Sequence, residues 1–260
     1  MGTKTAVSER DAFPLEIGNA QHQGARNYQE DYFGFSRISA ETFATKGALA
    51  VLCDGMGGLS GGRETAVRTV TEILDAFERS DFRYCFDANI RQVIETVAGR
   101  IHDSYNKTKF TTGCTLVTAY IYDRKLYWAC AGDSRLYLIR GGNMYAVNED
   151  HDSMNQKLDE FVSGKCTWSD VMSNQQKDSL TSFIGAHQLK LDISHTGLAL
   201  TEGDMVLLCS DGIYNSLSEC EMLRCIDCES AQQACDLMVE RIVKKAKRAQ
   251  DNMTVMLIRV

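Results

Sequence analysis

Short apolar runs edged by Gly, Asn and Ser open the chain at Ile17–Gly24, Asp31–Arg37 and Gly47–Asp54. They predict three strands in an opening β meander. Beyond Gly61–Gly62 the spacing changes to three and four, and Ala66, Val67, Val70, Ile73, Leu74 and Phe77 fall on one helical face. Asp87 is placed to cap a second helix striped by Ile90, Val93, Ile94, Val97 and Ile101, antiparallel to the first over a shared apolar surface. Strand character returns at Thr115–Tyr122, Lys125–Ala131, Ser134–Arg140 and Met144–Val147. Both alternating faces are apolar, Leu126, Trp128 and Cys130 against Tyr127, Ala129 and Ala131, which predicts strands covered on both sides.

Ser153 with Gln156 reads as a capping box opening a helix through Val162. The stretch 163–182 is polar and irregular apart from a turn near Trp168–Met172. Strands are expected at Asp192–Leu200 and Met205–Ser210, and a short helix from Ser218. Ser230 with Gln233 opens a long helix striped by Ala231, Cys235, Met238, Ile242 and Ala246, and Met253–Val260 is a closing strand. Strand groups and helix groups alternate without a strict βαβ rhythm, so the fold class is α+β, a layered sandwich. No repeat or linker divides the chain, and 1–260 is expected to form a single domain with an N-terminal extension over 1–16.

Composition narrows the function classes. The 260 residues carry a formal charge of −7, which disfavours a phosphate-backbone contact, so no nucleic-acid partner is expected. No apolar run approaches the ~18–20 residues that span a bilayer, and no basic-then-apolar leader stands at the start. A monomeric cytoplasmic protein without a membrane partner, its ten cysteines reduced, is the expectation.

Candidate chemistry sits where apolar strands run out into acids. Ala48–Cys53 ends in Asp54–Gly55, Trp128–Gly132 in Asp133, Val206–Ser210 in Asp211, and Asp251 precedes the last strand. Any one of these aspartates also reads as a turn or cap residue. Gathered at one rim, carboxylates repel unless a cation neutralises them, and hard divalent ions take oxygen ligands. Glycine at 55 lets a backbone carbonyl approach such an ion. Arg26 stands shortly before Glu30 and Asp31 and offers a planar fork of donors suited to phosphate, with a surface ion pair to Glu30 as the alternative.

The stretches Arg26–Asp31, Leu52–Gly58, Gly132–Arg135, Cys209–Gly212 and Asp251–Thr254 resemble, in order and spacing, the signature motifs of metal-dependent protein phosphatases of the 2C type, in their small bacterial form. The resemblance runs from about Ile17 to Val260 and implies a four-layer αββα sandwich, two antiparallel sheets flanked by helices. It implies two Mn²⁺ or Mg²⁺ ions: Asp54 bridging both, Gly55 offering its carbonyl, Asp211 and Asp251 binding one. Glu30 and Asp31 would hold bound waters in an outer shell, Arg26 the substrate phosphoryl group, and Asp133 with Asp211 a third, weaker ion. By the same resemblance Arg26, Asp54, Asp211 and Asp251 are the catalytic residues, and a water bridging the ions attacks phosphoserine or phosphothreonine. The implied partners are phosphoproteins and a cognate protein kinase with its substrates.

Met56 departs from animal members, which often place a proton-donating histidine there; bound water is then the expected acid, with His22 second. Residues 148–185 correspond to a flap-like region of bacterial relatives, in which His151 is either a substrate contact or a capping or turn residue. Two rivals are a pseudophosphatase acting through partners, and a developmental-regulator branch of the superfamily that is usually fused to sensor domains. Cys220, Cys225, Cys228 and Cys235 have iron–sulfur-like spacing, but Cys225 and Cys235 fall on apolar helix positions. Arg241, Lys244, Lys245, Lys247 and Arg248 read as a solvated helix end or as a docking surface for acidic partners.

Overall fold

The computed structural model describes residues 15–56, 61–105, 112–177 and 179–260. Strands β1 (Glu16–His22) and β2 (Tyr32–Phe35), helix α1 (Ala40–Lys46), and strands β3 (Ala48–Cys53) and β4 (Gly55–Met56) precede the long helices α2 (Gly61–Arg79) and α3 (Phe86–Tyr105). Then come β5 (Gly113–Cys114), β6 (Leu116–Tyr122), β7 (Lys125–Ala131), β8 (Arg135–Arg140) and β9 (Asn143–Ala146). Helices α4 (Ser153–Val162) and α5 (Trp168–Met172) lead to β10 (Asp192–Ile193), β11 (Leu198–Ala199) and β12 (Met205–Cys209). The chain closes with α6 (Asp211–Tyr214), α7 (Glu219–Ile226), α8 (Ala231–Lys245) and β13 (Met253–Arg259).

One sheet runs β1-β13-β12-β8-β9; the other runs β10-β7-β6-β3-β2, with β11 also beside β7. All these pairings are antiparallel. The doubly apolar strands explain themselves in this stack. Leu49, Val51 and Cys53 of β3 face α2 and α3, packing with Val70, Ile73, Ile90 and Ile94. Ala50 and Leu52 face the other sheet and meet Leu208, Met256 and Ile258. The second sheet repeats the arrangement, with Leu207, Val255 and Leu257 under Met222, Met238 and Ile242 of α7 and α8. Three apolar layers thus separate four layers of elements, the αββα order expected, and each interior layer gains from area removed from water.

The expected opening meander does not form, because β1 pairs with β13, Ile17 opposite Ile258, rather than with β2. Close contact with α8 holds it there: a Cβ on Gly18 would lie 2.2 Å from the Ala231 carbonyl carbon, and Glu16 accepts the Ala231 N–H at 2.8 Å. Glu16, expected in an N-terminal extension, pairs with Arg259 as the first residue of β1, and residues 1–14 lie outside the described residues. Helix α1 went unpredicted although Ser39 and Thr42 cap each other's backbone as a capping box. The caps expected at Asp87 and Ser153 shift: α3 already starts at Phe86, and Asp152 caps α4 by accepting the Asn155 N–H at 2.7 Å. The strand expected over 192–200 is two short pieces, and α8 ends at Lys245, with Ala246 left-handed at its C-cap.

Candidate active site

Antiparallel register brings the acids to one end of the sandwich. Tyr32 lies opposite Cys53, so Asp31 and Asp54 stand at the same edge. Cys209 lies opposite Val255 and Arg135, so Asp211, Asp251 and Asp133 share an edge of the other sheet. His22 lies opposite Met253, which delivers the loop carrying Arg26 and Glu30 to that edge. Together Arg26, Glu30, Asp54, Gly55, Met56, Asp133, Asp211 and Asp251 line a cleft of about 340 Å³, with Thr115, Leu180 and Asn252. Asp31 is fully buried behind it.

Backbone contacts fix the pieces. The Asp54 N–H donates to Thr115 Oγ1 at 2.9 Å and its carbonyl accepts the Thr115 N–H at 2.8 Å. Thr115 in turn shares a 2.7 Å hydroxyl contact with Ser134 Oγ. Asp31 Oδ2 accepts the Thr254 Oγ1 hydroxyl of β13 at 2.7 Å and the hydroxyl of Ser210, the residue after β12, at 2.9 Å. Asp211 is the first residue of α6 rather than a strand-end residue, so the helix N-terminus lies under its carboxylate. Arg26 pairs with Asp251 at 2.5 Å, not with Glu30.

Crowding perturbs these carboxyls in one direction. Burial, then the Asp211 charge, lifts Asp133 to about 7. Burial raises Asp31 to about 7, partly opposed by the Thr254 and Ser210 hydroxyls, and burial with the Asp251 charge raises Asp211 to about 6. Asp54 is pushed well up, first by burial and then by Asp31 and Asp211, and Glu30 rises mainly through burial. Arg26 is the one guanidinium in the cleft lining, and the Asp251 hydrogen bond holds its proton more tightly than usual.

The oxygens left over point to a cation. Glu30 Oε1, Asp31 Oδ1 and Asp211 Oδ1 are buried without a hydrogen-bond partner, a costly state for a carboxylate unless something positive or a held water meets it. Among the described residues no group of three or more His, Cys, Asp or Glu side chains is arranged to hold a metal ion. Carboxylate and carbonyl oxygens of the kind lining this cleft are the ligand type hard divalent ions take.

Several sequence expectations resolve elsewhere. His22 Nδ1 accepts the Gly24 N–H at 2.9 Å, a local bond in the turn after β1. His151 is 3% exposed, outside the cleft lining, with its N–H on the Gly132 carbonyl and its own carbonyl taking the Thr181 N–H. Its side-chain Nδ1 accepts the Gly132 N–H at 3.3 Å. Cys225 and Cys235 lie in the core under α7 and α8 while Cys220 is exposed, and all ten cysteines are free thiols. Lys245 and Lys247 tie the end of α8 to the Ser216 and Asn215 carbonyls. Thr115, Ser134 and Asn252 were not singled out in the sequence; Ser134 and Asn252 stand inside the quoted motifs, whose polar side chains beside each aspartate were the available signal. Gly57 and Gly58 of the Leu52–Gly58 stretch lie outside the described residues.

Comparison with known proteins agrees with this geometry. The family model described as protein phosphatase 2C matches residues 18–161, and one described as stage II sporulation protein E matches 170–260. The two matches meet in one sandwich, since β8 from the first segment pairs with β12 from the second. Fold and family together define a serine/threonine protein phosphatase. The chain belongs to the protein phosphatase 2C family. It is 27% identical over 215 residues to the protein phosphatase PhpP of Streptococcus pneumoniae, covering 81% of this chain and 85% of that one. The solved serine/threonine phosphatase of S. agalactiae is 26% identical with a TM-score of 0.80, over 95% of this chain and 100% of its own. The catalytic domain of PstP, solved with two manganese ions, shares the fold at 21% identity and a TM-score of 0.72, over 94% of this chain and 97% of that one. Among the described residues no helix is long and apolar enough to cross a membrane.

Proposed function

We propose that this protein removes phosphate from phosphoserine and phosphothreonine in proteins phosphorylated by a cognate kinase, using two divalent cations, Mn²⁺ or Mg²⁺, held at the acidic end of the sandwich. The observation that carries the reading is the convergence of Asp54, Asp133, Asp211 and Asp251, with buried unpartnered oxygens, around a cleft with Arg26 at its rim. Asp54, Asp211, Asp251 and the Gly55 carbonyl would be the direct donors, Glu30 and Asp31 would orient water, and Asp133 with Asp211 would offer a third, weaker position. When bound, the cations supply an activated water and neutralise the charge gathering on the phosphoryl oxygens.

The chain's own groups do the rest. Arg26 has 58% of its side chain exposed and a single carboxylate partner, so it is free to turn its fork from Asp251 onto an incoming phosphoryl group. Thr115 and Ser134 hold the Asp54 backbone still, which keeps the cleft preorganised. The Met56 thioether has no proton to give, so the leaving alkoxide takes one from water in the cleft. The whole of 1–260 acts as one catalytic unit in this reading, with 148–185 as its flap, from which Leu180 lines the cleft.

Hydrolysis of a phosphothreonine peptide and of p-nitrophenyl phosphate with Mn²⁺ tests the reading. Turnover should disappear with a chelator and return with added Mn²⁺; rates indifferent to chelator would sink it, and metal-restored binding without turnover would favour the pseudophosphatase. Arg26→Ala should raise KM by roughly 10–100-fold, the worth of a charge-assisted hydrogen bond. An unchanged KM would mean phosphate is held elsewhere.

A further inference from the structure

The loop that carries Arg26 takes its shape from a residue outside it. Asn252 is 4% exposed, and its amide Nδ2 donates to the Gln23 carbonyl at 2.8 Å and to the Tyr28 carbonyl at 2.9 Å. Its Oδ1 accepts the Glu30 N–H at 2.8 Å. The two held carbonyls bracket Arg26 along the chain, and the third bond fixes the acid at the loop's far end. The Asn252 peptide meanwhile rests on the first turn of α6, where a Cβ on Gly212 would come within 1.9 Å of the Asn252 carbonyl oxygen. One side chain therefore links the Arg26 loop to the segments that carry Asp211 and Asp251. The loop's other anchors to this region are the Arg26–Asp251 ion pair, the Ala25 N–H on the Gln250 carbonyl, and Gly24 at positive φ packed against the Asp251 carbonyl.

We propose that Asn252 is a positioning residue for phosphate capture, holding the 23–30 loop so that Arg26 reaches across the cleft when its guanidinium leaves Asp251. Three hydrogen bonds in opposite senses suit an amide and no other side chain of that size, since the two carbonyls need donors and the Glu30 N–H needs an acceptor. The proposal rests on the reading of Arg26 as the phosphate-binding group, and it adds a residue that acts only through Arg26. A packing role would spread its effect over stability and every kinetic constant; a positioning role falls on phosphate affinity.

The test uses Asn252→Ala, the isosteric Asn252→Asp, Arg26→Ala, and both position-252 changes combined with Arg26→Ala. Each protein is assayed with p-nitrophenyl phosphate at saturating Mn²⁺, with inorganic phosphate as competitive inhibitor, and its Mn²⁺ binding is titrated by calorimetry. Both position-252 changes should raise KM and the phosphate Ki about tenfold, the loss of one to two net hydrogen bonds, with kcat and Mn²⁺ affinity within about threefold. In the Arg26→Ala background they should add less than about twofold, because groups acting through one another are not additive. Amide exchange over 23–30 should quicken in both. Multiplying effects in the double variants, an unchanged KM with lowered kcat, lost Mn²⁺ affinity alone, or a parental KM in Asn252→Asp would each overturn the proposal. So would failure of both single variants to fold by circular dichroism, which would make Asn252 a folding residue. If instead Arg26→Ala itself leaves KM unaltered, it is the phosphate-binding reading that falls, and the proposal with it.

Discussion

Asp211→Asn should lower Mn²⁺-dependent turnover by at least about 10²–10³-fold, the scale of losing one preorganised charge-stabilising group, while leaving the metal-free protein no less stable. The two halves of this expectation have one cause. Asp211 Oδ1 is buried with no hydrogen-bond partner, and burial together with the Asp251 charge raises the carboxyl to about 6. A neutral amide of the same shape relieves that repulsion but cannot serve as an anionic oxygen ligand. Its neighbour Asn215, which donates to Asp211 Oδ2 at 3.3 Å, keeps an oxygen acceptor after the change. Thermal melts in chelator read the stability half and peptide hydrolysis with Mn²⁺ reads the catalytic half. Turnover within tenfold of the parent would remove Asp211 from the metal site, and a markedly lower melting temperature would show that its charge is structural. The same pattern is expected of Asp54→Asn, whose carboxyl is pushed well up, first by burial and then by the charges of Asp31, Asp211 and Asp133.

Metal-free protein should also lose stability as pH rises. In the folded chain Asp31 and Asp133 titrate near 7 and Asp211 near 6, against about 4 for an aspartate in an unfolded chain. Between about pH 4 and 7 the folded state therefore binds more protons than the unfolded one, and stability falls with increasing pH. Between pH 5.5 and 8 these three groups together should cost about 5 kcal/mol, or roughly 10–20 °C in Tm, at 1.36 kcal/mol for each unit of each shifted group. His151 acts in the opposite sense: burial, with Lys190 nearby, lowers it, so its contribution grows as pH rises toward the ordinary histidine range and offsets part of the fall. Saturating Mn²⁺ should flatten or reverse the slope, since cations bind the deprotonated carboxylates and release protons on binding. Melts at several pH values, with chelator and with Mn²⁺, provide the check. A chelated protein that grows more stable toward pH 8 would mean the carboxyls are not crowded as the cleft shows.

Long-range pairing marks the limit of what the linear pattern conveys. The stripe from Ala66 to Phe77 and the one from Ile90 to Ile101 are read directly, because helix periodicity is local and both faces pack on the sheet within the same apolar layer. The doubly apolar strands likewise announce their two covers, helices outside and the second sheet inside. By contrast, β1 looks like the first strand of a meander until Gly18 is seen against α8 and its partner proves to be β13 from the far end of the chain. Capping positions slip by a residue where Asp152 and Ser153 both qualify and only the hydrogen bond to the Asn155 N–H decides between them.

The amino-acid sequence by itself determined the class of fold, the acids at the ends of the strands, and, through five short motifs in register, the family. Those features are local: side-chain alternation, helix period, and Asp beside Gly. The tertiary structure decided which carboxylates meet, that Arg26 answers Asp251 rather than Glu30, that His22 and His151 turn to backbone partners, and that Asn252 holds the Arg26 loop. The Arg26 and Asn252 contacts depend on which strand lies beside which and in what register, a matter of residues more than two hundred positions apart, such as Arg26 and Asp251. Local propensity carries no information across that distance; burial and the need to satisfy every polar group at one crowded edge supply it.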